Sequence, residues 1–192
     1  MTLLILGLVL FLGTHSVRIF AEGWRTRVRA QYGENAWKGV YTLLSLAGFV
    51  LIVMGYGAAR QQPVVLWASP TWTRHLAALL MLASFLILFG AYVPGNAIKA
   101  RLKHPMVLAV KVWAGAHLLA NNTLADLLLF GGFLVWAVLD FRSARQRDRA
   151  ANTVYPPGRA VPTVITLVLG LLAYVGFAFW AHTAWIGVRP FG

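Results

Sequence analysis

The sequence predicts an all-α membrane protein: a bundle of about six transmembrane helices, with a tight hairpin between the fourth and fifth. Of its 192 residues, 59% are hydrophobic and only 11% are charged, and the mean hydropathy is +0.70. This balance lies far outside that of soluble domains. The apolar runs are continuous, whereas the strands of a transmembrane barrel alternate with a period of two. Helical spans of roughly 20 residues are therefore expected.

The first three spans are expected at about residues 3–21, 37–58 and 76–93. The first is not typical of a signal peptide, because no basic segment precedes it and no small-residue cleavage site follows it. The loop after the second span carries Trp67 and Trp72 with two prolines, a composition typical of a segment at the membrane interface. The third span ends at Pro94-Gly95, a pair that terminates helices.

The last three spans are expected at about residues 104–120, 123–141 and 162–186, which completes a single domain over 1–192. Pro105 falls in the first turn of the fourth span, where a missing N–H is tolerated. Asn121-Asn122 forms a tight turn and Thr123 is a plausible N-cap. The fourth and fifth spans thus form an antiparallel hairpin. The segment between the fifth and sixth spans is polar and proline-rich, so we expect a loop there.

Lys and Arg residues predict the orientation of the chain. The formal net charge is +12, which in a soluble protein would suggest nucleic acid. Here the bases lie mostly between spans, so membrane lipids rather than nucleic acid are the expected partners. The loops after spans one, three and five hold 4, 3 and 5 bases, and the opposite side holds Arg60, Arg74 and Arg189. The positive-inside rule then predicts six spans with both termini outside the cytoplasm.

Ionisable residues inside spans are the candidate functional residues, because they are costly in a bilayer. They are His15, Arg18, Lys111, His117, Asp126 and Asp140, whereas His75 and His182 fall near the outer interface. The absence of cysteine excludes thiolate ligands, disulfides and thiol catalysis.

Asp126 and His117 stand at equal distances from the Asn121-Asn122 turn and should share one depth. Asp126 would either orient the His117 imidazole or support the start of the fifth helix. By the same count His104 is level with about Leu139 and Asp140 at the cytoplasmic edge, where an interfacial hydrogen bond to Asp140 is the simplest expectation.

His15 and Arg18 share a face of the first span, since they are three residues apart. Lys111 would pair with an acid from another helix or from a ligand, or extend to the interface. Small residues flank His117, which permits close helix packing or leaves room for a flat ligand. These are the parts of a bis-histidine heme b site, although they could also hold another metal or no cofactor.

Three motifs resemble the NnrU family of bacterial membrane proteins: FLGTHSVR at 11–18, KHPM at 103–106 and VWAGAHLLANNTLADLLLFGGFLVWAVLDFR at 112–142. The resemblance covers about the first 150 residues. It implies an association with denitrification, in the expression or maturation of nitrite and nitric oxide reductases. The family is related to 15-cis-zeta-carotene isomerase, a heme b enzyme whose axial histidines have contexts similar to those of His15 and His117, while His104 matches a third motif histidine. That isomerase is thought to exchange an axial ligand for cysteine, which this chain lacks.

The resemblance therefore implies one heme b bound through His15 and His117. From the residues themselves we expect Arg18 or Lys111 near its propionates and Asp126 in contact with a ligand histidine. Whether the chain is an enzyme is left open. The alternatives are a heme-dependent cis-trans isomerase of a lipid-soluble polyene and a membrane scaffold or lipid-binding protein without a cofactor. The His-Pro pair also resembles that of isoprenylcysteine methyltransferases, but residues 142–158 hold one acid and one aromatic residue, which disfavours methyl transfer.

Overall fold

The computed structural model describes residues 1–191, and these residues are almost entirely helical. The helices are α1 Thr2–Phe20, α2 Glu22–Tyr32, α3 Glu34–Ala59, α4 Trp72–Tyr92, α5 Ala97–Leu102, α6 Pro105–Ala120, α7 Leu124–Ala150, α8 Ala160–Gly176 and α9 His182–Ile186, with a π-helical turn, Phe177–Ala181, joining the last two. Within the described residues the only β pairing is an isolated antiparallel bridge between Val65 and Thr123. The predicted all-α class is confirmed.

Five helical segments are long and apolar enough to cross a membrane: Thr2–Phe20, Glu34–Ala59, Trp72–Tyr92, Leu124–Ala150 and Ala160–Ile186. The predicted fourth span corresponds to α6, a shorter apolar helix of 16 residues. At 1.5 Å per residue it is about 24 Å long, somewhat less than the roughly 30 Å hydrocarbon layer. The chain is a multi-pass membrane protein.

Three segments expected to be loops are helical, namely α2, α5 and the last part of α7. Residues 22–32 form α2, where Glu22 lies in the first turn and pairs with Arg25 at 2.8 Å. The predicted fifth span ends near 141, but α7 continues to Ala150. Its extension is rich in Arg, Gln and Ala, which favour helix, and its last turn carries Arg147 and Arg149, whose charges suit a helix C-terminus.

The chain divides into two compact units, the first comprising Met1–Ala68 with Asn122–Asp140 and the second Ser69–Asn121 with Phe141–Gly192. In the first unit α1 packs closely on α3 at glycines. A Cβ added to Gly7 would lie 2.5 Å from the backbone N of Ile52, and one added to Gly48 would lie 2.7 Å from that of Phe11. Such small residues let apolar helices approach backbone to backbone.

The segment after α3 is anchored on the start of α7 by backbone hydrogen bonds. Leu66 N–H donates to Asn122 O at 2.8 Å, and Leu124 N–H donates to Val64 O at 2.9 Å. The Asn122 side chain adds a bond to Trp67 O at 2.7 Å. These bonds satisfy polar backbone groups that would otherwise be costly next to lipid.

In the second unit α4 packs against α6 and α8. Hydroxyl groups join the helices, because the buried Ser84 donates to Ala109 O at 2.9 Å and the half-buried Tyr174 donates to Ala78 O at 3.0 Å. The loop before α8 lies on the start of α5, where Arg159 N–H donates to Gly95 O at 2.9 Å.

Candidate functional site

His15 lies in an aromatic environment built within the first unit. Its ring stacks on Phe11 of the same helix, with centroids 4.2 Å apart and planes at 27°. Tyr41 of α3 lies 5.2 Å away, and Trp136 of α7 meets the imidazole edge-on at 6.1 Å. Aromatic rings from three helices thus fix the plane of one intramembrane imidazole.

The tautomer of His15 follows from its hydrogen bond. Its Nδ1 lies 2.7 Å from the carbonyl oxygen of Phe11, one helical turn earlier. Because a carbonyl can only accept, Nδ1 must carry the hydrogen. In the neutral imidazole the lone pair therefore resides on Nε2, the atom available to a metal.

His117 in the second unit makes the same kind of bond. Its Nδ1 lies 2.9 Å from the carbonyl oxygen of Trp113, again four residues earlier on its own helix. The flanking Ala114 and Ala116 are fully buried, whereas a Cβ added to Gly115 would meet no atom within 4 Å. His117 thus presents Nε2 as its lone-pair atom, with one closely packed flank and one open flank.

Trp136 carries an unpaired donor beside His15. Its indole Nε1 is buried and has no hydrogen-bond partner among residues 1–191. Buried polar groups are nearly always satisfied, so such an atom calls for an explanation. An acceptor atom of a bound molecule would supply the missing partner. Sequence reasoning did not single out Trp136, because an indole in an apolar span looks like ordinary packing.

Asp126 is buried in the first unit, with 5% of its surface exposed. Its Oδ2 accepts from the Thr123 N–H at 3.0 Å and from the Thr123 hydroxyl at 2.6 Å, and its own N–H donates back to that hydroxyl. This is a capping box that begins α7. Its Oδ1 accepts from the Tyr56 hydroxyl at 2.6 Å. The expected support of the helix start is present, and a role behind His117 stays a prediction.

His104 is bound at the start of α6 within the second unit. Its Nε2 lies 2.8 Å from Asp148 Oδ2, and the Tyr155 hydroxyl donates to the same carboxylate at 3.1 Å. The partner is Asp148 and not the expected Asp140, because α7 extends past residue 141 and carries Asp148 with it. Burial, and then the hydrogen bond to Asp148, raises the pKa of Tyr155.

The two cations expected near the site differ in exposure. The Arg18 side chain is 57% exposed and its Nε lies 3.9 Å from Glu22 Oε2, so it extends towards water as long basic side chains do. Lys111 is half-buried, with Nζ 4.7 Å from the ring centroid of Phe141. His182, expected at the interface, binds the backbone carbonyl of Val188 at 2.8 Å, and His75 is exposed.

No group of three or more His, Asp or Glu residues in the described part of the chain could hold a metal ion. A porphyrin iron differs from such a site, because it requires only one or two axial protein ligands. Comparison with curated proteins and with solved structures finds no match. The family model described as NnrU protein matches residues 3–190. The chain therefore belongs to the NnrU family.

Proposed function

We propose that this membrane protein binds one heme b with His15 and His117 as the axial ligands, and that it supports the production of nitrite and nitric oxide reductases in denitrifying bacteria. The main supporting observation is that the two imidazoles make the same Nδ1 hydrogen bond and therefore share one tautomer. Each donates its Nδ1 hydrogen to the carbonyl one turn earlier, to Phe11 in one case and Trp113 in the other. Ligating histidines commonly use their second nitrogen in this way, which orients the ring and raises its basicity.

The surroundings of both histidines suit a porphyrin. The aromatic rings around His15 offer apolar contact area, and the buried Nε1 of Trp136 offers a donor to an oxygen acceptor. The open flank at Gly115 leaves space beside His117. With no cysteine in the chain, imidazole is the strongest iron ligand that the sequence can provide.

Arg18 and Lys111 are the cations proposed to attract the two propionates. Lys111 suits this task, because its known contact is a cation–π interaction with Phe141 and it makes no ion pair within the described residues. A propionate carboxylate would offset the cost of placing the Lys111 charge in a low-dielectric environment. When bound, the heme supplies redox or Lewis-acid chemistry. The chain's own part is to orient two imidazoles, offer donors to carboxylates and exclude water.

The absorption spectrum of the purified protein tests this proposal. Protein produced with ample heme should show a Soret band and the spectrum of six-coordinate low-spin iron. His15→Ala and His117→Ala should each lose that coordination, while His75→Ala, at an exposed histidine, should keep it. Protein without a Soret band would reject the cofactor, and a low-spin spectrum retained in both variants would reject the ligands.

A second candidate function is the cis-trans isomerisation of a lipid-soluble polyene. It is favoured by an apolar surface groove of about 540 Å³ on α1 and α3, lined by Leu6, Val9, Leu10, Gly13, Thr14 and Leu51. Gly13 and Thr14, at one end of the groove, belong to the same helical turn as His15, whose side chain lies on the other face of α1. Incubation of the heme-loaded protein with cis-zeta-carotene, followed by chromatography of the isomers, separates the candidates. Conversion would support an enzyme, and its absence would favour the accessory role.

We further propose that the protein resides in the bacterial inner membrane with both termini in the periplasm. The 4, 3 and 5 bases that follow the first, third and fifth spans support this orientation. Reporter fusions to each end provide the test. A fusion at the C-terminus that is active only in the cytoplasm would reject this topology.

A further inference from the structure

The last membrane span carries exposed tryptophans near its C-terminal end, as helices do at the depth of the lipid headgroups. Helix Ala160–Ile186 has 27 residues and is therefore about 40 Å long. This exceeds the roughly 30 Å thickness of the hydrocarbon layer. A span longer than the layer either tilts or extends beyond it. Trp180 and Trp185, 67% and 72% exposed, are residues typical of the headgroup region.

A pocket of about 410 Å³ lies at this end of the helix. It is formed where the π-helical turn Phe177–Ala181 meets the segment that folds back after Gly187. The returning segment is held by His182 Nδ1, which donates to Val188 O at 2.8 Å. The rings of Phe179 and Phe191 stack at 5.1 Å and close one side. π-helical turns of this kind are frequent at functional sites.

The pocket combines apolar walls with a single cation. Phe179, Trp180 and Phe191 supply the aromatic surface, and Arg189 supplies a guanidinium. Arg189 takes part in no ion pair among residues 1–191. The only side-chain carboxylate in the second unit is Asp148, which is bound to His104 and Tyr155. The pocket thus contains a donor for an anion and no acidic side chain to accept a cationic group.

We propose that this pocket binds the headgroup of one anionic phospholipid. The Arg189 guanidinium pairs with the phosphate, a group that its planar fork of donors suits, and the aromatic walls contact the adjoining glycerol and upper acyl chain. A zwitterionic lipid is disfavoured, because among the described lining residues no acidic side chain offsets its ammonium, which would lie beside the guanidinium charge. Selection of a net negative headgroup follows from the composition of the site.

Native mass spectrometry of the full-length, detergent-purified protein tests this site. Phosphatidylglycerol and phosphatidylethanolamine with identical acyl chains are titrated separately, and the Kd of the first bound lipid is measured. We expect tighter binding of phosphatidylglycerol. Arg189→Gln should weaken that binding about tenfold, the loss expected for a charge-assisted hydrogen bond. Circular dichroism of the variant checks that the exposed substitution leaves the helices intact.

Arg74→Gln is the matched control, because Arg74 is another exposed arginine of the second unit and lies at the start of α4. It should bind phosphatidylglycerol as the unsubstituted protein does. Equal Kd values for Arg189→Gln and the unsubstituted protein would mean unspecific contact with surrounding lipid and overturn the proposal. Equal affinity for the two lipids would overturn the selection for a negative headgroup. Inorganic phosphate that binds the protein as tightly as phosphatidylglycerol does would show that the acyl and glycerol contacts contribute nothing, which also overturns it.

Discussion

Tyr56 donates a hydrogen bond of 2.6 Å to the buried carboxylate of Asp126 and so joins α3 to the first turn of α7. A buried carboxylate is tolerated only when its oxygens are hydrogen-bonded. Here Thr123 satisfies one oxygen and Tyr56 the other. Both partners of the contact belong to the first unit.

Loss of the Tyr56 hydroxyl should therefore destabilise the protein. We expect Tyr56→Phe to lower the free energy of unfolding by about 1–3 kcal/mol, the usual cost of leaving a buried acceptor unpaired. Thermal unfolding in detergent, followed by circular dichroism, measures the effect. Tyr92→Phe is the control, because Tyr92 is 65% exposed and should change little. An unchanged midpoint for Tyr56→Phe would show that water replaces the hydroxyl.

The unpaired indole of Trp136 yields a prediction about heme. If a heme oxygen accepts from Nε1, Trp136→Phe removes one hydrogen bond and should weaken hemin binding about fivefold, the equivalent of roughly 1 kcal/mol. His15 and His117 are unchanged as iron ligands, so the saturated protein should keep the spectrum of six-coordinate iron. Hemin titration of the apoprotein provides both readouts. Trp72→Phe, at an exposed tryptophan, should bind hemin normally, and equal affinities of all three proteins would show that Nε1 has no ligand partner.

Ionisation of Tyr155 should lower the free energy of unfolding at high pH. Burial and the hydrogen bond to Asp148 raise the pKa of Tyr155 in the folded protein. The contribution of neutral Tyr155 to the free energy of unfolding is complete below the pKa of an unfolded tyrosine, near 10. It is lost as pH rises through the folded pKa, because the unfolded state loses its proton first. The alkaline decline should be smaller in Tyr155→Phe, as measured by unfolding at a series of pH values.

Asp148→Asn tests the cause of that shift. It removes the negative charge and the carboxylate acceptor while preserving size, so the pKa of Tyr155 should fall towards its ordinary value. This pKa is obtained from phenolate absorbance, by subtracting the titration of the double variant Asp148→Asn with Tyr155→Phe from that of Asp148→Asn. A pKa unaltered by Asp148→Asn would assign the shift to burial alone.

The sequence predicted the helical class and the approximate spans because apolar runs of this length have one stable form in a bilayer. It also identified the start of α7, because Thr123 was expected as the N-cap, and the structure adds that Asp126 completes a capping box with it. It did not predict that α7 reaches Ala150, because a polar, arginine-rich segment gives no apolar period. Consequently Asp148 was missed as the partner of His104, and Asp140 was expected in its place.

Tyr56 and Trp136 were missed for a different reason. Their polar atoms matter only through tertiary neighbours, Asp126 for the hydroxyl and an absent partner for the indole. No local spacing encodes either relationship. Rules that treat aromatic residues in spans as lipid-facing or packing residues therefore overlook them. The axial role of His15 and His117 stays a prediction that the spectra must test.

The close packing of α1 on α3 predicts that a Gly→Ala substitution at their contact lowers stability, whereas elsewhere in a helix it usually raises stability. Replacing Gly by Ala in a helix usually stabilises it, by about 0.5–1 kcal/mol. At Gly48 the added Cβ would lie 2.7 Å from the backbone N of Phe11, and a backbone atom cannot move aside without separating the helices. Gly48→Ala should therefore destabilise the protein, by about 1–3 kcal/mol as for other overpacked sites.

Gly57→Ala is the matched control on the same helix, because a Cβ there meets no atom within 4 Å. It should leave the thermal midpoint unchanged or raise it. The two variants differ only in what lies opposite the new methyl group, so opposite shifts would measure helix–helix contact rather than helix propensity. If Gly48→Ala were as stable as Gly57→Ala, α1 and α3 would be farther apart than the 2.7 Å clearance implies, and the rings of Phe11 and Tyr41 would no longer be expected to hold the His15 imidazole between the two helices.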